Sequence, residues 1–151
     1  VIMANDEVSL AQSIELLGAE HFSFFGDISN ESDVKDGIQF ALDKYGKIDV
    51  IHNNAGIANP SKPLHETTDL EWQNLFDVNL KSVLYTTKYG LEALIHSEGC
   101  ILNTSSLVGE IGQENHAAYA ATKGALNALT KSMAIDYAKY KIRVNKGVLI
   151  F

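Results

Sequence analysis

A single cysteine, Cys100, leaves no partner for an intramolecular disulfide in these 151 residues, which suits a reducing compartment. Basic residues are also scarce. Twelve Lys and Arg stand against 19 Asp and Glu, the net charge is −7, and the bases form no cluster. Nucleic acid and anionic membrane surfaces both need clustered cations, so the charge pattern argues against either partner. No apolar run approaches the ~20 residues that cross a bilayer. The opening VIMANDEVSL lacks the basic start and apolar centre of a secretory signal, so a cytoplasmic protein is expected. The five histidines (His21, His52, His65, His96 and His116) show no metal-ligand spacing, and one thiol cannot build a thiolate site. No metal is expected. Repeats, low-complexity tracts and linkers are missing too, which leaves residues 1–151 as one domain.

What the sequence does contain is an alternation of short strand-like runs and longer helical ones. Val1–Ala4 reads as a strand, and a helix follows over about Glu7–Leu17 and stops at Gly18. His21–Phe25 is a second strand. Ser29 or Asn30 caps a helix whose apolar residues Val34, Ile38, Ala41, Leu42 and Tyr45 recur at helical spacing, and Gly46 ends it. Ile48–His52 reads as a strand covered on both faces. Beyond Pro60 and Pro63, one long helix is expected from about Leu70 to Ile95. Cys100–Asn103 is a fourth strand, the Tyr119–Tyr140 region a helix, and Ile142–Ile150 a fifth strand. Alternation of this kind implies right-handed crossovers and a doubly wound, parallel α/β sheet.

Chemistry concentrates in SSLVGEIGQENHAAYAATKGA, Ser105 to Ala125. Tyr119 and Lys123 are four apart and share a helix face. A phenol with the ordinary pKa of about 10 is a poor base at neutral pH, and a cation beside it favours the phenolate. The surrounding alanines (Ala117, Ala118, Ala120 and Ala121) let a flat ligand approach. Ser106 stands at the carboxyl end of the fourth strand, where open α/β sheets bind ligands. Its hydroxyl can donate to a developing alkoxide or accept from an alcohol. Thr104 and Ser105 add hydroxyls that can also cap a turn. The third strand runs into NNAG, Asn53 to Gly56, whose small residues bring backbone close to a ligand. His116 lies three residues before Tyr119, either touching substrate or sitting at the surface where the helix starts.

The set NNAG, Asn79 in FDVNLKS, Ser106 in NTSSLVG, and Tyr119 and Lys123 in YAATK resembles the short-chain dehydrogenase/reductase family in order and spacing. The resemblance covers nearly the whole chain and implies a Rossmann-type fold. It implies that Tyr119 is the general acid/base, that Ser106 orients the substrate oxygen, and that Lys123 favours the phenolate and holds the nicotinamide ribose. Asn79 would fix a water on the proton path; a buried amide mending a helix is the plainer reading, and both can hold together. Asn53, Ala55 and Gly56 would line the cofactor together with Tyr119 and Lys123, with Asp27 and Ile28 beside its adenine. Asp27 also reads as a turn acid leading into Ser29. Asn5 matches the end of the family's first-unit strand, where Asp6 and Glu7 follow and no base is near, which favours NAD over NADP. The substrate implied is a secondary alcohol or carbonyl, such as a sugar or polyol. A 3-oxoacyl thioester reductase shares the same motifs, and a non-catalytic relative acting as a partner subunit is the alternative of another class. The two long helices are where such proteins pair into homodimers or homotetramers.

The chain departs from that pattern at both ends. It opens on VIMA with no initiating methionine and no glycine-rich turn to cradle a pyrophosphate, and it closes on KGVLIF where a Pro-Gly turn and a substrate lid are expected. It therefore reads as a fragment with an incomplete sheet. Two strand edges would lie open without the first strand between them, and cofactor affinity would fall.

Overall fold

Side-chain caps set where the helices begin. Asp6 Oδ1 accepts from the Ser9 amide at 3.0 Å and opens α1 (Glu7–Leu17) after the short strand β1 (Ile2–Ala4). That bond holds the Asp6 carboxyl below its ordinary pKa. Asn30, not Ser29, caps α2 (Glu31–Tyr45), accepting from Ser32, and Gly46 closes it in the left-handed conformation at φ 72°. Ser29 instead bonds back to Asp27. The computed structural model describes residues 1–18 and 20–149.

The remaining elements are β2 (Ser23–Phe25), β3 (Val50–Asn53), α3 (Asp69–Phe76), α4 (Ser82–Ser97), β4 (Cys100–Ser106), α5 (Val108–Ile111), α6 (Ala117–Tyr137) and β5 (Arg143–Leu149). Single turns of 3-10 helix at Leu64–Glu66 and Ala138–Tyr140 complete the chain. The expected helix from Leu70 to Ile95 is broken into α3 and α4 by a π-helical segment, Asp77–Lys81. A π segment inserts an extra residue into the turn, and such insertions gather at functional sites. The short α5 and both 3-10 turns carry no periodic signal. The expected fifth strand ran to Ile150, which lies outside the described residues.

All strand pairs are parallel, and they form two sheets, β1–β2 and β3–β4–β5. No hydrogen bond joins β1 to β3 among the described residues. Their facing edges line one groove of about 820 Å³, with Ile2, Ala4, Ile28, Val50 and Asn53 on its walls. Two open edges are what the sequence led us to expect. The groove also corrects one expectation: β3 is not covered on both faces. Ile51 is buried against α4, where the missing side chain of Gly90 makes room for it, while Val50 and His52 are exposed. The core gathers around the larger sheet, with Ile51, Val83, Leu94, Ile101, Leu126 and Val144 buried together.

A buried polar chain crosses that core. Thr86 of α4 donates to Asn53 Oδ1 at 2.7 Å, Asn53 Nδ2 donates to Asn103 Oδ1 at 2.8 Å, and Asn103 Nδ2 donates to Thr130 Oγ1 of α6 at 2.9 Å. Asn53 and Asn103 are register partners on β3 and β4, so pairing places their amides side by side. The chain ties α4 and α6, which cover the same face of the sheet, to one strand register. A one-residue slip would strand every member without a partner. Asn103 is fully buried, and Asn103→Ala is expected to lower unfolding free energy by about 1–3 kcal/mol by orphaning the Asn53 amide. Denaturant titration measures this, and an unchanged midpoint would contradict the role.

Candidate active site

Lys123 is the least ordinary residue of α6. Its side chain is buried at 4 % exposure, and no carboxylate pairs with it among the described residues. Nζ donates to the Thr104 carbonyl of β4 at 2.8 Å and lies 5.8 Å from the centre of the Tyr119 ring. Burial pushes the ammonium's pKa down. Helix geometry alone puts Lys123 beside Tyr119, and β4 then pins the ammonium from below. An ammonium has three N–H donors. One is committed to Thr104, and two remain for a ligand. The Tyr119 hydroxyl makes no hydrogen bond among the described residues, and its ring is half-buried.

The NNAG turn closes on this pair. A Cβ on Gly56 would lie 3.2 Å from Asn79 Oδ1 and 3.4 Å from Lys123 Nζ, so glycine sets how near the turn can come. Asn79 sits in the π segment and is buried. It accepts from the Ile57 amide at 2.8 Å and donates to the Ile57 carbonyl at 2.8 Å and to Thr122 Oγ1 at 3.0 Å. Its amide therefore does not mend its own helix. It clamps the turn after NNAG onto α6, leaving one lone pair on Oδ1 uncommitted.

Ser106 ends β4, where Oγ accepts from the Val108 amide at 3.3 Å and starts α5. The turn that carries it is held from α6 by Asn127. Ser105 donates to Asn127 Oδ1 at 2.6 Å, and Asn127 Nδ2 donates to the Gly109 carbonyl at 3.4 Å and to Glu110 at 3.1 Å. Lys146 of β5 pairs with Glu110, so KGVLIF, over its described residues, continues the expected fifth strand and supports α5. A Cβ on Gly109 would fall 2.7 to 2.9 Å from the backbone of Lys123 and Gly124 and from Lys123 Cβ. The Ser106 turn thus rests directly on the turn of α6 that bears Lys123.

The structure therefore brings Asn79, Ser106, Tyr119, Lys123 and Gly56 to the carboxyl ends of β3 and β4. Ala55 is exposed at the same rim. Asn53 lies there too, but both ends of its amide are committed to Thr86 and Asn103. Asn5 and Asp27 follow the other sheet, across the groove that Ile28 lines. Asn5 is exposed, and Asp27 Oδ1 holds the backbone and hydroxyl of Ser29. The Thr104 hydroxyl donates to Asn54 at 3.0 Å, a cross-strand bond in place of a turn cap. Sequence reasoning missed Asn103, Gly109, Thr122 and Asn127. The only local hint was polar residues alternating along ILNTSS beside a strand that ends in NN. Among the described residues no acid, histidine and cysteine cluster could hold a metal, and no helix is long and apolar enough to cross a membrane.

A serine, a tyrosine and a buried lysine thus gather at the strand ends of a doubly wound α/β domain, the place where such folds bind ligands. The chain belongs to the short chain dehydrogenase family, whose model matches residues 1–148. It is 40% identical over 119 residues to the L-fucose dehydrogenase of Oryctolagus cuniculus, covering 79% of this chain and 42% of that protein. It superposes on the NADH complex of 3-ketoacyl-(acyl-carrier-protein) reductase from Brucella melitensis with a TM-score of 0.93 and 30% identity, covering 97% of this chain and 64% of that one. NAD+-bound xylitol dehydrogenase gives a TM-score of 0.89 and 30% identity, over 95% of this chain and 57% of that chain. The chain spans less than half the length of the L-fucose dehydrogenases it matches.

Proposed function

We propose that this chain carries the reacting centre of an NAD(P)-dependent oxidoreductase that interconverts a secondary alcohol and its carbonyl. The observation that carries the reading is the buried Lys123 ammonium, fixed to Thr104 beside Tyr119, whose hydroxyl makes no hydrogen bond among the described residues. Tyr119 moves the proton of the substrate oxygen as general acid/base. Ser106 donates to that oxygen and holds it in line with Tyr119. Lys123 holds the ribose diol with its two remaining N–H groups and favours the phenolate. Asn79 keeps the NNAG turn against α6, and its free lone pair can hold a water leading towards Lys123. A bound nicotinamide supplies the hydride acceptor or donor.

The donor set fits such a cofactor: a buried ammonium with two free donors faces small residues at the ends of parallel strands. Asp6 and Glu7, which follow Asn5 after β1, would repel a 2′-phosphate, so NAD is the preferred form. The likeness to L-fucose and xylitol dehydrogenases favours a sugar or polyol as substrate, and the 3-ketoacyl reductase likeness keeps an acyl thioester as the competing one. Exposed Leu84 on α4 and Ile135 on α6 support pairing of copies through the long helices.

The test follows reduced-nicotinamide absorbance while the protein is offered NAD or NADP with a polyol, or the reduced cofactor with a 3-oxoacyl thioester. Turnover with NAD and polyol, silenced in Lys123→Met, is the expected outcome. Equal turnover in Lys123→Met would contradict the reading. A chain that acts only as a partner subunit would bind its partner and show no turnover with any pair.

A further inference from the structure

Tyr119 has two cationic or aromatic neighbours on its own helix, and they lie in opposite directions along the axis. Lys123, four residues on, is buried towards β4. His116, three residues back, is half-buried at the open end of α6, its ring edge-on to Tyr119 at 6.2 Å. Residues at these two spacings share one helix face. If Lys123 marks the cofactor side of the phenol, His116 marks the side from which substrate arrives.

The hydrogen bonds of His116 settle what it presents there. Nδ1 lies 2.9 Å from the Glu114 carbonyl, which can only accept, so Nδ1 carries the proton. Neutral imidazole then keeps a lone pair on Nε2, for which no partner exists among the described residues. Nδ1 also lies 3.4 Å from Ser61 Oγ, from the loop between β3 and α3. A protonated Nδ1 cannot accept from Ser61, so the exposed Ser61 hydroxyl keeps its own proton to donate elsewhere. Two loops thus meet beside Tyr119, with Ser61 on the Nδ1 edge of the imidazole and the Nε2 acceptor on the other edge.

We infer that His116, with Ser61 bordering its ring, forms a specificity site for a second hydroxyl on the substrate, next to the carbon that reacts at Tyr119. This rests on the oxidoreductase reading above and deepens it to diol and polyol substrates. A hydroxyl can donate to Nε2, while Ser61 borders the Nδ1 edge of the same ring. A thioester carbonyl only accepts and would leave Nε2 facing it without a proton. A simple alcohol would leave both groups to water.

The matched probes are cis-1,2-cyclohexanediol and cyclohexanol, which differ by one hydroxyl. Steady-state kinetics with NAD are measured for the native chain, His116→Ala, His116→Gln and Ser61→Ala. Native protein is expected to favour the diol. In His116→Ala the kcat/KM ratio of diol to mono-alcohol should fall about tenfold, the equivalent of one hydrogen bond. The mono-alcohol rate should stay put. Gln can place an acceptor near Nε2, so His116→Gln should restore part of the ratio, and Ser61→Ala should lower it by a smaller factor. Saturation-transfer NMR of both alcohols, run alongside, reads the same preference without turnover. An unchanged ratio in His116→Ala with both alcohols oxidised overturns the inference and leaves the oxidoreductase reading intact. Diol preference in binding with no turnover of either alcohol would overturn that reading and keep the site. Equal losses for both alcohols would make His116 structural and also overturn the inference.

Discussion

Tyr119→Phe is expected to lower kcat by about 10³-fold, inside the span of about 10² to 10⁴ that a positioned acid or base contributes. The change removes one oxygen and no packing volume beyond it. That oxygen makes no hydrogen bond within the described protein, so its removal breaks nothing in the fold. The ring still packs beside Lys123 and His116. Stability should therefore hold, and affinity for the nicotinamide cofactor should hold with it. The loss should fall on kcat rather than KM, because the interaction is made with the proton in flight. Steady-state kinetics and a denaturant titration on the same preparation measure both. A Phe variant that turns over at the native rate would remove Tyr119 from the chemistry.

The second large effect comes from a residue with no side chain. Gly109→Ala should lower kcat by about 10²-fold, because a misplacement near 1 Å in an active site has effects of that order. The new methyl would press on the Lys123 and Gly124 backbone at under 3 Å, which real contacts do not sustain, so α5 must lift from α6. Ser106 sits at the start of that turn and Lys123 lies beneath it. Lifting moves one against the other. Overpacking should also lower stability by about 1–3 kcal/mol. Gly147→Ala is the control, since a Cβ on Gly147 meets nothing within 4 Å. A circular dichroism melt separates a displaced site from an unfolded one. Native kinetics in Gly109→Ala would show that the close approach is not needed.

The residues proposed to react were legible in the sequence because their chemistry requires particular side chains at fixed spacing. Tyr119 and Lys123 share a helix face by arithmetic, and Ser106 follows a strand that its apolar run announces. The residues that hold those groups in place were not legible. Asn103 matters because β3 and β4 pair in one register, and Asn127 because α5 happens to fold back over α6. Both facts are long-range, and neither leaves a period along the chain. The π segment was hidden for a related reason. Its apolar stripe continues smoothly from Leu75 to Val83, and only the demand of Asn79 for the Ile57 backbone shows why the turn widens. The exposed face of β3 follows from the groove between the two sheets, which no local pattern marks.

The central claim is that a substrate carbon gives its hydride to a nicotinamide while Tyr119 takes the oxygen's proton. Oxidation of a secondary alcohol deuterated at the reacting carbon tests it most directly. The account predicts reduced nicotinamide carrying that deuterium on its ring, a slower rate than with the protiated alcohol, and loss of both signals in Tyr119→Phe. Deuterium released to solvent, or label transfer that persists in Tyr119→Phe, would contradict it.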